Sequence, residues 1–422
     1  MDVLLLAGTR PEAIKIAPVA LAIAERSRLR ALIVHSGQHH DVVEQALRPF
    51  GRSPDERLAV RRTTGGQAEL LAALLPELDR VLERTRPAAL VVQGDTSTAL
   101  AGALAAFWRS VPVVHLEAGL RTGDLAAPFP EEGNRQLISR ITTLHLAPTQ
   151  AAADALRAES LPCPEIVVTG NTVVDAARLI AKLDQPAHDP RLAALEAELD
   201  RERARLVLVT AHRRESWGAP LDRILTAVGQ LADEHPDVRV VLPAHPNPAV
   251  RAQVCGALGR HPRVWVTDPL DYPDLIRVLR RCSLALTDSG GLQEEAPGFV
   301  VPVLVLRDTT ERREAVDAGQ AWLVGSDPER IVAHCRRLLA DRPHWPADDN
   351  PFGDGKAAVR VADALESLLA TKRTAALGDP PDIQCSRSWA DRRPDKDQPV
   401  DNPTPADMTG AWYREQPVGR EA

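Results

Sequence analysis

The sequence predicts an α/β protein made of two doubly wound domains, each built on a parallel sheet, facing one another across a cleft. Three observations carry this expectation. Short apolar runs alternate with longer helix-period stretches, the alternation occurs in two successive series, and 422 residues are enough for two cores.

The first series of apolar runs is Val3–Ala7, Leu32–His35, Leu90–Gln93, Val113–Leu116, Leu144–Ala147 and Val167–Thr169. The second is Leu206–Thr210, Val238–Leu242, Val264–Thr267, Leu284–Thr287, Val303–Leu306 and Ala321–Val324. Each reads as a strand buried on both faces. Helix-period stretches such as Gln67–Arg84 and Leu221–Glu234 lie between them. Strand alternating with helix implies parallel sheets joined by right-handed crossovers. The expected first domain is residues 1–170 and the second is 171–352, the change of character falling between Asn171 and Arg205. Residues 353–370 read as a last helix returning to the first domain. Residues 371–422 are rich in proline and charge and poor in aliphatics, so they are expected to be disordered.

Composition narrows the class. Hydrophobic content of 44% and charged content of 26% are those of an ordinary globular chain. A formal charge of -7 argues against general nucleic-acid binding. Cys163, Cys255, Cys282, Cys335 and Cys385 are scattered without a CxxC pair, which points to a reducing compartment and to neither a zinc site nor a disulfide framework. The N-terminal run lacks a basic flank and is broken at Arg10-Pro11-Glu12, as expected of a first strand rather than a signal peptide. No apolar run is long enough to span a membrane. A cytoplasmic protein without membrane or nucleic-acid partners is expected.

In open parallel sheets, ligands bind beyond the carboxyl ends of the strands, so the loops there are where chemistry is sought. After the first strand, Gly8-Thr9-Arg10-Pro11-Glu12 opens a helix with Arg10 and Lys15 nearby, which is either an anion site or a helix start with solvated charges. It is neither GxGxxG nor a P-loop, so neither NAD nor ATP hydrolysis is implied. Asp95 follows the third run, and is either a functional acid or a helix cap. Glu117 follows the fourth, directly before Ala118-Gly119. Glu131 and Arg135 have helical i,i+4 spacing and form either a surface ion pair or part of the site. In the second series, His212 lies beside Arg213 and Arg214. Asp288-Ser289-Gly290-Gly291 offers backbone N–H groups suited to a diphosphate, with Arg307 and Arg312 near in sequence and Glu295 available to ribose hydroxyls. No histidine pair has the spacing of zinc ligands.

GTRPEAIK, QGDTSTAL, HLEAGLRTGD, PEEGNRQL, GNTVVDA, AHRRES, TDSGGLQEEAP and RDTTERREA together resemble the non-hydrolysing UDP-N-acetylglucosamine 2-epimerases, in order from residue 1 to about 370. The resemblance implies a GT-B fold of two Rossmann-like domains, with UDP held mainly by the second. It implies nucleotide-sugar contacts at Arg10, Lys15, Arg135, His212, Ser289, Gly290, Gly291, Glu295 and Arg312, and uracil-side positions at Leu270 and Leu275. Asp95, Glu117, Glu131 and His212 match the catalytic positions. It further implies a homodimer, no metal or cofactor, and UDP-GlcNAc and UDP-ManNAc as the bound pair. Some bacterial members take a second UDP-GlcNAc as activator, near positions matching Gln38, His39, Gln67 and His245. Two departures stand out. Arg313 replaces the usual proline after Arg312, and Gly66 stands where some activated members carry arginine.

The C2 hydrogen of the sugar is not acidified by any carbonyl, so direct deprotonation is closed. Without the NAD fingerprint, the expected route expels UDP from C1 and passes through 2-acetamidoglucal. Carboxylates then serve as acid and base on the two faces of C2, while Arg10, His212 and Arg312 take the departing charge. The rival readings are a GT-B glycosyltransferase using a UDP-sugar donor, a hydrolysing 2-epimerase, and a regulator that binds the nucleotide sugar without catalysis.

Overall fold

A computed structural model describes residues 1–38, 41–159, 161 and 165–377. Among the described residues the strands form two wholly parallel sheets. The first comprises β1 (Asp2–Ala7), β2 (Arg30–His35), β3 (Glu56–Arg57), β4 (Ala89–Gln93), β5 (Val113–Leu116), β6 (Leu144–Ala147) and β7 (Glu165–Val168), in the spatial order β3-β2-β1-β4-β5-β6-β7. The second comprises β8 (Arg205–Thr210), β9 (Val238–Pro243), β10 (Val264–Thr267), β11 (Cys282–Thr287), β12 (Val303–Val305) and β13 (Ala321–Leu323), in the order β10-β9-β8-β11-β12-β13. In both sheets the order of strand addition reverses once, at β1/β4 and at β8/β11, and there the flanking loops diverge to leave a crevice.

Every run read as a strand is one, within a residue or two at its ends. The strand that sequence reading misses is β3, which pairs Glu56 with Val34 and Arg57 with His35 at the sheet edge. Two polar residues on an edge carry no periodicity to read. The Gln67 stretch is helical over Gln67–Thr85, and the Leu221 stretch over Ala219–Glu234.

One continuous apolar cluster runs from Val3 and Leu5 on β1 through Val173, Ala176 and Ile180 of the helix Thr172–Leu183 to Leu206 and Leu208 on β8. Met1–Thr374 accordingly form one compact unit. The chain crosses between the sheets twice, and the two crossings lie side by side. The Asn171 N–H donates to the Phe352 carbonyl at 2.7 Å. Gly353, at φ 134°, packs so closely that a Cβ on it would lie 3.3 Å from the Gly170 Cα. The positive φ values of Gly353 and Gly355 keep this segment out of the helical region, so the last helix starts at Ala357 rather than at 353. It continues to Leu377, so residues 371–377, expected to be disordered, are helical. The rest of the expected tail, 378–422, lies outside the described residues. Among those described, no helix is long and apolar enough to cross a membrane.

Asp175 fastens the returning helix by accepting from the Ala357 and Ala358 N–H groups at 3.1 and 2.8 Å. Asp175→Ala leaves both donors buried without their acceptor. A loss of about 2 kcal/mol is expected from urea unfolding, and a variant with an unshifted midpoint would remove Asp175 from that role.

Candidate functional site

The first crevice is closed at its base by Glu12. Thr9 caps the helix Arg10–Ala24, and Glu12 completes a capping box with it. The Glu12 carboxylate accepts from Gly8 N at 2.9 Å and Thr9 N at 2.7 Å, and on its other oxygen from Thr96 Oγ1 at 2.6 Å. It therefore ties the loop after β1 to the loop after β4, the two neighbouring strands that flank the switch point. Burial pushes its carboxyl above the ordinary range, against the bonds from Thr96, Gly8 and Thr9. Gly8 has no room for a side chain, since a Cβ would meet Ser36 Oγ and Thr98 Oγ1 at 2.5 Å. Arg10, in the first turn, donates to the Leu270 carbonyl of the second half at 3.3 Å.

Asp95 is not the helix cap. Thr96 takes that position and accepts from Ala99 N at 3.1 Å. Asp95 instead pairs with Arg135 at 2.6 Å, and its carbonyl accepts from Asn134 Nδ2 at 2.8 Å. Of the two readings of Glu131 and Arg135, the i,i+4 ion pair is therefore not the one that Arg135 makes. Arg135 lies on the buried face of the helix Glu131–Ile141 and turns to Asp95 and to Glu132, at 3.1 Å from the latter. Glu131 is half-buried in the first turn of that helix. Despite its burial, Glu132 is held below the usual carboxylate range by Thr122 N, Gln136 and Arg135.

Glu117 leaves β5 in the left-handed region, at φ 63°, a conformation that costs a non-glycine residue roughly 1–3 kcal/mol. That turn aims its carboxylate at Lys15 and Gln93, both of which donate to it. Arg312 of the second half stands 3.6 Å away.

The second crevice is organised by Asp288, which is fully buried. It accepts from His212 N and Arg213 N at 2.9 Å and from Ser216 Oγ at 3.0 Å, and its other oxygen lies 3.1 Å from His212 Nδ1. It is occupied with the loop after β8 rather than with capping. Ser289, at the N-cap position of Gly290–Glu295, makes no side-chain capping bond either. Packing around the ring lowers the His212 pKa below the ordinary histidine value, Arg213, His245 and Arg10 adding to the effect and Asp288 opposing it, while about half of the side chain stays exposed to the cleft. Gly290 is bare because the Arg312 guanidinium lies over it, 2.5 Å from where a Cβ would be. Arg312 is held by Glu294 at 2.7 Å and by Glu311, and Arg307 joins Glu311 at 3.0 Å.

Leu270 is buried, its carbonyl accepting from Arg10, and Leu275 is half-buried in the helix Tyr272–Arg281. Glu295 accepts from Tyr272 Oη at 2.9 Å. Sequence reading missed Tyr272, although a tyrosine at the start of an apolar helix needs a buried partner for its hydroxyl. Of the expected activator positions, Gln38 accepts from Thr98 Oγ1 at 2.9 Å and Gln67 from Ser97 Oγ at 2.7 Å, so both converge on one helix start. His245 packs against Trp217, ring centroids 5.4 Å apart, in the second half. His39 lies outside the described residues.

Two parallel sheets of one topology, with their switch-point loops meeting around shared guanidinium and carboxylate groups, make this a two-domain α/β enzyme of the GT-B type. Residues 21–366 match the family described as UDP-N-acetylglucosamine 2-epimerase, and the chain belongs to that family. The Yersinia pestis UDP-N-acetylglucosamine 2-epimerase is 42% identical over 376 residues, 88% of this chain and 100% of the relative. Among solved structures, a putative UDP-N-acetylglucosamine 2-epimerase from Listeria monocytogenes has a TM-score of 0.80 at 39% identity, covering 87% of this chain and 96% of its own. The Neisseria meningitidis UDP-GlcNAc 2-epimerase bound to UDP-GlcNAc has a TM-score of 0.79 at 35% identity, covering 87% and 100%.

Burial pushes the Glu295 carboxyl up to about 7, Tyr272 opposing and Glu294 adding to the rise. A carboxyl raised in the fold contributes stability that is complete below its unfolded value of 4.5 and is lost as pH rises through about 7. Glu295→Gln should therefore be more stable than the parent at pH 8, by about 3 kcal/mol, and match it near pH 4. Thermal unfolding at the two pH values checks this, and an equal offset at both would contradict it.

Proposed function

We propose that the chain interconverts UDP-GlcNAc and UDP-ManNAc without net hydrolysis, by elimination and re-addition of UDP. The observation that carries this reading is the Glu117 carboxylate, held in a costly backbone conformation between Lys15 and Arg312 where the two crevices meet. A carboxylate beside cations that suit a diphosphate is what coupled C1–O and C2–H cleavage requires. The Neisseria relative's complex with UDP-GlcNAc supports that substrate here.

In this mechanism Arg312, Arg10 and the backbone N–H groups of Ser289–Gly291 take the charge that develops on the β-phosphate as the C1–O bond breaks. A carboxylate removes the C2 proton, and the C–H electron pair becomes the C1–C2 double bond of 2-acetamidoglucal. In the return step a UDP oxygen attacks C1 while a carboxylic acid delivers a proton to the opposite face of C2. No electrons are gained or lost overall. Asp95, Glu117 and Glu131 supply these acids and bases collectively. Arg135 holds Asp95 in place, and His212, partly exposed to the cleft, is available to hydrogen-bond the phosphates.

NMR of UDP-GlcNAc in heavy water tests the reading. UDP-ManNAc should appear with deuterium at C2 and without stoichiometric free UDP, and Glu117→Gln should lower turnover by about 100-fold or more while still binding UDP. Near-parent turnover in that variant would remove Glu117 from the chemistry. Release of UDP in step with sugar would favour the hydrolysing reading.

We further propose a homodimer through the helices Ser97–Trp108 and Glu131–Ile141. Phe107, Trp108 and Leu137 are 52%, 64% and 57% exposed on these two mutually packed helices, and association through this face would bury them together. Phe107→Glu combined with Trp108→Glu should halve the mass measured by light scattering; an unchanged mass would assign the contact elsewhere.

A further inference from the structure

Four buried charges close a ring between the two halves of the molecule. Lys15 Nζ contacts Glu117 and lies 3.6 Å from Glu294 Oε2. Arg312 Nε donates to Glu294 Oε1 at 2.7 Å, and Arg312 Nη2 lies 3.6 Å from Glu117 Oε1. Lys15, on the helix Arg10–Ala24, and Glu117, after β5, belong to the first half; Glu294, on the helix Gly290–Glu295, and Arg312, after β12, belong to the second. Their side chains are 7%, 5%, 1% and 9% exposed respectively. Charges buried to this degree must be paired, and removing one partner leaves the others uncompensated.

The four contacts are not equivalent. Arg312 is held through Nε by Glu294 and through Nη1 by Glu311, whereas its approach to Glu117 is too long for a hydrogen bond. An arriving diphosphate therefore displaces Glu117 most readily, and Glu294 keeps the guanidinium oriented. Glu294 Oε2 makes no hydrogen bond of its own and faces the Lys15 ammonium. The Glu294 backbone is fixed in turn, its carbonyl accepting from Asn350 Nδ2 at 2.8 Å.

We propose that Glu294 is a positioning residue for the epimerisation, anchoring Arg312 and Lys15 together so that Glu117 can change protonation state between them. The inference rests on the function proposed above. With Glu294 ionised, the ring is neutral when Glu117 is a carboxylate and carries one positive charge when Glu117 is an acid. Without Glu294 these become one and two positive charges, which suppresses the acid form of Glu117. The groups facing Glu117 are Lys15 from the first helix, Arg312 and Glu294 from the second half, and the neutral amide of Gln93 on β4. Glu311 acts one group further out, on Arg312.

Glu294→Gln and Glu294→Asp are compared with the parent by turnover of UDP-GlcNAc against pH. UDP binding is followed by calorimetry in buffers of different ionisation enthalpy, which counts the protons exchanged. For Glu294→Gln, kcat should fall about tenfold or more, with a limb of the kcat–pH profile moved to lower pH than in the parent. UDP should bind at least as tightly as to the parent, and Glu294→Asp should recover part of kcat. The parent should take up protons on binding UDP as Arg312 leaves Glu117, and Glu294→Gln should take up fewer. An unmoved limb with unchanged proton uptake overturns the proposal, as does parallel loss of kcat, UDP affinity and melting temperature. A parent that binds UDP but does not convert UDP-GlcNAc would sink the functional reading instead, and the proton count would still decide the role of Glu294.

Discussion

The contact of Lys15 with Glu117 and Glu294 is the interaction on which the rest of the site depends. Each sheet alone has a crevice with partial charge complementarity. The ammonium of Lys15, buried at the meeting of the two, makes them a single site. Burying it without both carboxylates would be prohibitive, and burying the carboxylates without it and Arg312 equally so. Here burial lowers the affinity of Lys15 for its proton, and Glu117 and Glu294 more than restore it.

Around that contact the backbone is shaped to leave room for ligand and cations. Gly8 and Gly290 are places where a methyl group would strike Thr98 or Arg312, and Glu117 accepts a left-handed conformation to direct its carboxylate. Glu12 and Asp288 do matching work in the two halves. Each is a buried acid that binds loop N–H groups and a hydroxyl, holding adjacent loops in register without standing free in the cleft. Such groups are the supporting layer that fixes catalytic side chains to within a fraction of an ångström.

The order of apolar runs made the fold legible almost completely, because strands buried on both faces have to be continuous and apolar. β3 escaped for the converse reason, being two polar residues on an edge. Positions such as Asp95, Glu117 and His212 were legible as loop residues after strands, but not their partners. Spacing alone offered Arg135 to Glu131, and the fold gave it to Asp95, which is distant in sequence but follows the neighbouring strand β4. Tyr272 and Glu295 are likewise joined only by the packing of separate helices.

What the sequence determined by itself was therefore the repeated strand–helix pattern, the loops that face the cleft and the chemical types they carry, because periodicity and turn residues are local properties. The tertiary structure alone decided which charge meets which. Lys15 and Glu294 are drawn from different halves of the chain, and Glu294 is one of two adjacent glutamates that no local rule distinguishes. Only the helix Gly290–Glu295 turns one toward Arg312 and the other toward Tyr272. Pair energies in a buried site depend on distance and desolvation, and both are set by packing rather than by order along the chain.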